Sequence, residues 1–229
     1  MISWASQVFV RHLMIRTEIQ PGVWLDSRLG LFLEEYAALV VADLHWGYAA
    51  SHRHQGNLLP DWGDEEISER LRSLLIDYQP KYLVWLGDSL HTLAGGQNAE
   101  VFLREISSHV AVQILAGNHD RRWAAITGNA WQLGGFFLHH GDTPLVAPEK
   151  SIEIIGHHHP AYALWDGAGS RVKIPALIAG PRRFVLPAFS PWAAGSPWNG
   201  LHAADEKVWA VSPKRIFAVR SDMTLTPAR

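Results

Sequence analysis

Apolar residues fall into short runs along the chain, and two spacings alternate. Residues 29–33 and 38–42 are continuous apolar stretches of strand length. Between 65 and 77, Ile67, Leu71, Leu74 and Leu75 recur at helical spacing, behind an acidic first turn and ahead of Pro80, which stops the run. Residues 82–86 form a β-rich run, 99–107 a second helical pattern, and 110–115 another strand. Strand-like runs follow at 136–138, 152–155, 172–178, 184–186, 207–211 and 216–219. Strands and helices alternate early and strands dominate late, which predicts a mixed α/β sandwich over a purely parallel sheet.

At five strand ends a polar cluster follows at once, at Asp43, Asp88, Asn118, His140 and His157. In α/β folds ligands sit at the carboxyl ends of strands. Five such ends predict one shared site. Asp43-Leu44-His45 on an extended backbone would point carboxylate and imidazole to one side. Gly87-Asp88-Ser89-Leu90-His91 offers a carboxylate after a tight turn, with two oxygens for two ions. Gly117-Asn118-His119-Asp120 offers a carbonyl oxygen and a proton carrier. In His139-His140-Gly141-Asp142, His140 is expected to face the site and His139 to be a packed or hydrogen-bonded neighbour. In Gly156-His157-His158-His159-Pro160, alternation puts His157 and His159 on one face and His158 on the other. Each cluster has an ordinary reading: a capping aspartate, a Gly/Asn turn, a histidine without a role. Five independent ordinary readings in this order are implausible together.

Composition narrows the chemistry. The chain has 229 residues, which fits one domain spanning 1–229. There is no cysteine, so disulfides and thiolate metal sites are excluded and a metal must be held by His, Asp, Glu or Asn. That absence fits a reducing, cytoplasmic compartment. A net charge of −2 gives no sign of a non-specific polyanion binder, yet bound cations would add positive charge locally. The start, MISWASQVFVRHLMIR, lacks the layout of a signal peptide and reads as mature protein. No stretch has the length of a membrane span, so no membrane partner is expected. Thirteen histidines and eleven tryptophans stand out.

The ordered set D-x-H, G-D, G-N-H-D, H-G and G-H-x-H, spanning residues 43 to 159, resembles the calcineurin-like metallophosphoesterases. Further stretches resemble the bacterial ligase-associated members of that superfamily. They are Asp43 to Ala50 with His52-Arg53 and Leu59-Pro60, then Gly117 to Trp123, Gly156 to Ala161, and Leu186-Pro187-Ala188-Phe189.

The resemblance implies a four-layer α/β/β/α sandwich of two mixed sheets. It implies one metal held by Asp43, His45, Asp88 and His159, and another by Asp88, Asn118, His140 and His157, with Asp88 bridging. Two divalent ions, manganese first and iron, zinc or magnesium as alternatives, would sit about 3.5–4 Å apart and acidify a bridging water for in-line attack on phosphorus. His119, not a ligand in this scheme, would bind phosphate or donate a proton. Many phosphatases of the superfamily carry aspartate where this chain has His91; here histidine stands, as in the double-strand-break repair nucleases, which favours a His91–His119 pair. The other reading of His91 is a helix-start residue without a role.

Arg53, Arg121, Arg122, Arg182 and Arg183 are candidates to contact substrate phosphates; solvated surface is the alternative for each. Residues 187–200 contain Phe189, Trp192 and Trp198, either a loop whose aromatics stack on bases or a packed connector. The reading that follows is a DNA endonuclease or phosphodiesterase of a bacterial repair operon. An ATP-dependent DNA ligase, an exonuclease and a helicase of that operon are the partners it implies. A phosphatase or phosphodiesterase for nucleotides or small esters is one rival, and a catalytically weak, metal-bound nucleic-acid-binding scaffold is another.

Overall fold

The computed structural model describes residues 14–165, 170–199 and 201–219. The opening segment read above as mature chain lies outside them up to residue 13, as does Gly200.

The first sheet has six strands in chain order: β1 (Arg16–Gln20), β2 (Val23–Asp26), β3 (Leu31–Leu33), β4 (Ala38–Val41), β5 (Tyr82–Leu86) and β6 (Ala111–Leu115). The pairs from β1 to β4 are antiparallel, and β4–β5 and β5–β6 are parallel. Parallel neighbours need crossovers. The first crossover carries α1 (Tyr48–His54) and α2 (Gly63–Tyr78), the second α3 (Gln97–Ile106). Strand β4, Ala-Leu-Val-Val, is buried throughout, as expected of a strand covered on both faces.

Helix α2 opens with Asp64, Glu65 and Glu66, where carboxylates favour the helix dipole, and buries Ile67, Leu71 and Leu74. It ends as Gln79 turns left-handed (φ 44°) and donates its N–H to the Leu75 carbonyl, just before Pro80. All three α-helices among the described residues precede β6.

The second sheet has nine strands. Its path runs β13 (Ser196–Pro197), β10 (Pro160–Trp165), β11 (Arg171–Ala179), β12 (Arg183–Val185), β9 (Ile152–Ile155), β8 (Phe136–His139) and β7 (Ala130–Leu133). Strand β14 (Lys207–Ser212) pairs with β11 and with β15 (Arg215–Ala218). Parallel and antiparallel pairs are again mixed. One apolar core joins the sheets, bringing Leu39, Val41, Leu83 and Trp85 of the first together with Leu138, Ile154, Leu177 and Phe184 of the second. Each such side chain contributes about 1.5–3 kcal/mol on burial.

The sheets are stitched at one end. Phe189 and Ser190 donate their N–H groups to the carbonyls of Ala42 and Asp43, at 2.8 and 3.1 Å. Leu186 donates to Ile155, and Gly156 to His140. His45 and Trp46 donate to Asp88 and Ser89. The strand tails after β4, β5, β8 and β9 therefore converge on one rim.

Some elements carried no clear pattern. Strand β1 is a polar edge, β10 starts on a proline, and α1 buries only Ala49, so its periodicity was silent. Strand β3 begins two residues later than the apolar run, because Leu29 sits at φ 68° in a turn.

Candidate metal centre

Asp43 and His45 do face the same space, but not by strand alternation. Strand β4 ends at Val41, and both residues are left-handed, at φ 56° and 51°. His157 and His159 are left-handed too (63° and 45°), and so is Asp88 (44°). Such backbone costs about 1–3 kcal/mol at a non-glycine residue and persists where its surroundings enforce it. The coil so formed turns His157 and His159 inward and leaves His158 exposed.

Three glycines make room. A Cβ on Gly87 would strike the His140 ring, one on Gly117 would strike Asp88, and one on Gly156 would come within 2.6 Å of Asp43 Oδ2. The glycine ahead of each motif residue therefore serves close approach between neighbouring tails.

Three groups of donors result; one is His45 with His91 and His119, and the other two hold the expected ligands. Asp43, His45 and His159 offer atoms within 4.8 Å of one another, and so do Asp88, His140 and His157. Within the first, His159 Nε2 lies 3.1 Å from Asp43 Oδ1. Within the second, His140 Nε2 lies 3.3 Å from Asp88 Oδ2. Asn118 Oδ1 joins the second group, 3.2 Å from His140 Nε2. His140 donates its Nδ1–H to the Leu86 carbonyl at 3.0 Å, which aims Nε2 into the centre. All seven residues expected as ligands thus meet on the rim.

Burial and charge act on these groups in opposition. Burial pulls His140 down, but its hydrogen bond to Asp88 and the charges of Asp43 and Asp88 outweigh it and raise the imidazole to about 9. Burial pushes Asp88 up, but His140 and the His119 backbone N–H hold its carboxyl lower, at about 2. Burial drives His45 down to about 4, against the two carboxylates. A neutral imidazole is the metal-binding form.

The donor set fits a pair of divalent ions. It consists of carboxylate, amide and imidazole groups, suited to manganese, iron or zinc. His45 Nδ1 is buried without a hydrogen-bond partner, so no other group among the described residues competes for that nitrogen.

Beside the cage lie His119 and His91, rings stacked at 5.3 Å and 29°. The hydrogen bond between them runs through the main chain: His119 Nδ1–H donates to the His91 carbonyl at 3.0 Å. Nε2 of His119 points toward the cage, 3.9 Å from Asp88 Oδ2.

Of the arginines, Arg53 is held by Asp61 at 2.6 Å, and Arg121 by Asp142 and Thr143. Arg122 is exposed. Arg183 pairs with Glu206 at 2.8 Å. His139 is buried and bonded to Glu153, as its expected packing role implies.

Sequence reading missed Asp120. Fully buried, its carboxylate accepts from Gly117 N (2.9 Å), Ser89 N (2.6 Å) and Leu90 N (3.2 Å), tying the tail of β6 to that of β5. Its only signal was its place as the last residue of G-N-H-D.

The family model described as calcineurin-like phosphoesterase matches residues 37–180, and the chain belongs to that family of metal-dependent phosphoesterases. The crystal structure of Pseudomonas putida nuclease MPE is similar in fold. Its TM-score is 0.70 at 24% identity, covering 90% of this chain and 100% of that one. A comparison with curated proteins finds no match.

Proposed function

We propose that the chain hydrolyses phosphodiester bonds in DNA. Asp43, His45, Asp88 and His159 would hold one divalent cation and Asp88, Asn118, His140 and His157 the other, with the Asp88 carboxylate shared. When bound, such ions supply Lewis acidity toward the phosphoryl oxygens and a water acidic enough to act as nucleophile near neutral pH. The chain's own part is to fix that geometry and to move one proton. His119 is oriented by the His91 carbonyl, which leaves Nε2 to give a proton to the departing oxygen.

One observation carries the nuclease reading. Where phosphatases of the family place a carboxylate to orient the G-N-H histidine, this chain places His91, which brings no carboxylate and whose ring stacks on His119. The description of the structural neighbour as a nuclease supports it. The ligase-associated stretches extend the proposal to bacterial DNA repair in the cytoplasm, beside a ligase, an exonuclease and a helicase, with manganese as the metal. Among the described residues no helix is long and apolar enough to cross a membrane.

The test is hydrolysis by manganese-loaded protein of single-stranded, double-stranded and nicked DNA beside a simple diester, for wild type and Asp88→Asn. Wild type should cleave DNA, and Asp88→Asn should abolish turnover. Activity on the simple diester alone would assign a small-molecule phosphodiesterase instead. Asp88→Asn with full turnover would remove the two-ion scheme.

A further inference from the structure

We infer that Trp62, backed by Trp192 and Tyr48, offers the face on which an unpaired base of the substrate strand stacks; this rests on the phosphodiesterase reading above. The rings form a continuous series. Trp62 stacks on Trp192 at 4.7 Å and 28°. Trp192 lies parallel to Tyr48 at 5.9 Å and 12°. Tyr48 meets His91 at 4.6 Å, His91 stacks on His119, and His119 meets His45 at 5.2 Å. One end of the series is therefore a cage residue and the other an indole that is 43% exposed.

This surface is built rather than incidental. A Cβ on Gly63 would run into the Nε1 edge of the Trp192 indole, so its absence lets that edge approach the first turn of α2. The next residue, Asp64, accepts from Gly47 N at 3.0 Å and from Asn98 Nδ2 at 2.8 Å, which pins the turn to the loop ahead of Tyr48. The other aromatics of 187–200 play no part: Phe189 is fully buried under Arg70, and Trp198 packs against His158. Arg53, the nearest guanidinium in sequence, is occupied by Asp61. The face thus offers planar rings and little free charge. That chemistry suits a base, since every base has a π-face, and fixed rings lose little entropy on binding.

The test uses manganese-loaded wild type, Trp62→Ala, Trp192→Ala and Gly63→Ala on three substrates. They are a single-stranded oligonucleotide, the para-nitrophenyl ester of thymidine monophosphate, and methyl para-nitrophenyl phosphate, which has no base. Each variant should raise KM for the two base-bearing substrates roughly tenfold, with kcat and KM for the methyl diester unchanged. The oligonucleotide should quench tryptophan fluorescence in wild type and not in Trp62→Ala. Trp62 is exposed, so its replacement does not threaten folding. Equal losses on all three substrates, or unchanged KM on the base-bearing ones, would overturn the platform. If DNA is cleaved normally by the variants, the platform fails and the nuclease reading stands. If wild type ignores DNA but the variants still raise KM for the thymidine ester and not for the methyl diester, the platform stands and the DNA reading fails.

Discussion

His119 and His91 are unequal partners although their rings stack. The contact that fixes His119 is a hydrogen bond to a main-chain oxygen, and every residue at position 91 has one. Removing the His91 side chain therefore leaves the orientation of His119 largely in place, whereas removing His119 deletes the proton carrier. His119→Ala should lower kcat by about 10²–10⁴-fold, the usual worth of a positioned acid or base. His91→Ala should cost about tenfold or less, through lost ring packing. Steady-state kinetics on one diester with both variants decides this, and a His91→Ala loss equal to that of His119→Ala would mean that the ring itself carries the proton.

Strand tails are the elements that make the site, and Asp120 joins two of them. Its three acceptor contacts satisfy three backbone N–H groups in a buried place. Asp120→Ala would leave them unpaired, at about 1–3 kcal/mol for each group that water does not reach. The loops bearing Asp88 and Asn118 would then separate. Asp120→Ala should lower the melting temperature and weaken metal binding by at least about tenfold, the scale of lost supporting contacts. Titration calorimetry with manganese measures the second effect, and unchanged affinity would reduce Asp120 to a purely structural residue. Asp120 also marks the limit of what the chain revealed unfolded. Five of the seven residues expected as ligands, Asp43, Asp88, Asn118, His140 and His157, stand where an apolar run gives way to polar residues, and His45 and His159 follow two residues on, so their clustering on one rim was legible. How they reach one another was not legible: Asp43, His45, His157 and His159 looked extended and are left-handed, a property of crowded tails and not of composition. Helix α1, carrying Tyr48 and His52, was silent because only Ala49 is buried and no apolar stripe is required. The stacking of Trp192 on Trp62 was invisible because the residues are far apart in sequence.

At the scale of the whole molecule, the two sheets press carboxylates and imidazoles into one rim, and two of the imidazoles hold their protons more tightly than a free histidine does. His140 is raised from 6.5 to about 9, and His159 is raised as well, burial being outweighed by Asp43 and Asp88. A raised pKa means that the stabilisation is fully present below about 6.5 and is lost as pH climbs through the folded value. Asp88, lowered from 3.8 to about 2, has the opposite sign, and its contribution is lost only in strong acid. Between pH 6.5 and 9 the metal-free protein should therefore lose stability as the imidazoles surrender their protons. Cations compete for the same nitrogens, so their affinity rises over that window and the loaded protein is spared the loss. At a free metal concentration of about 100 times Kd, binding adds about 2.7 kcal/mol, or roughly 5–10 °C in a chain of this size. Melting curves with manganese and with chelator, taken at steps from pH 6.5 to 8.5, should show a gap that widens with pH. A constant gap would mean that the protons on His140 and His159 do not compete with metal. A gap of zero at every pH would mean that the seven side chains form a charge network and no metal cage.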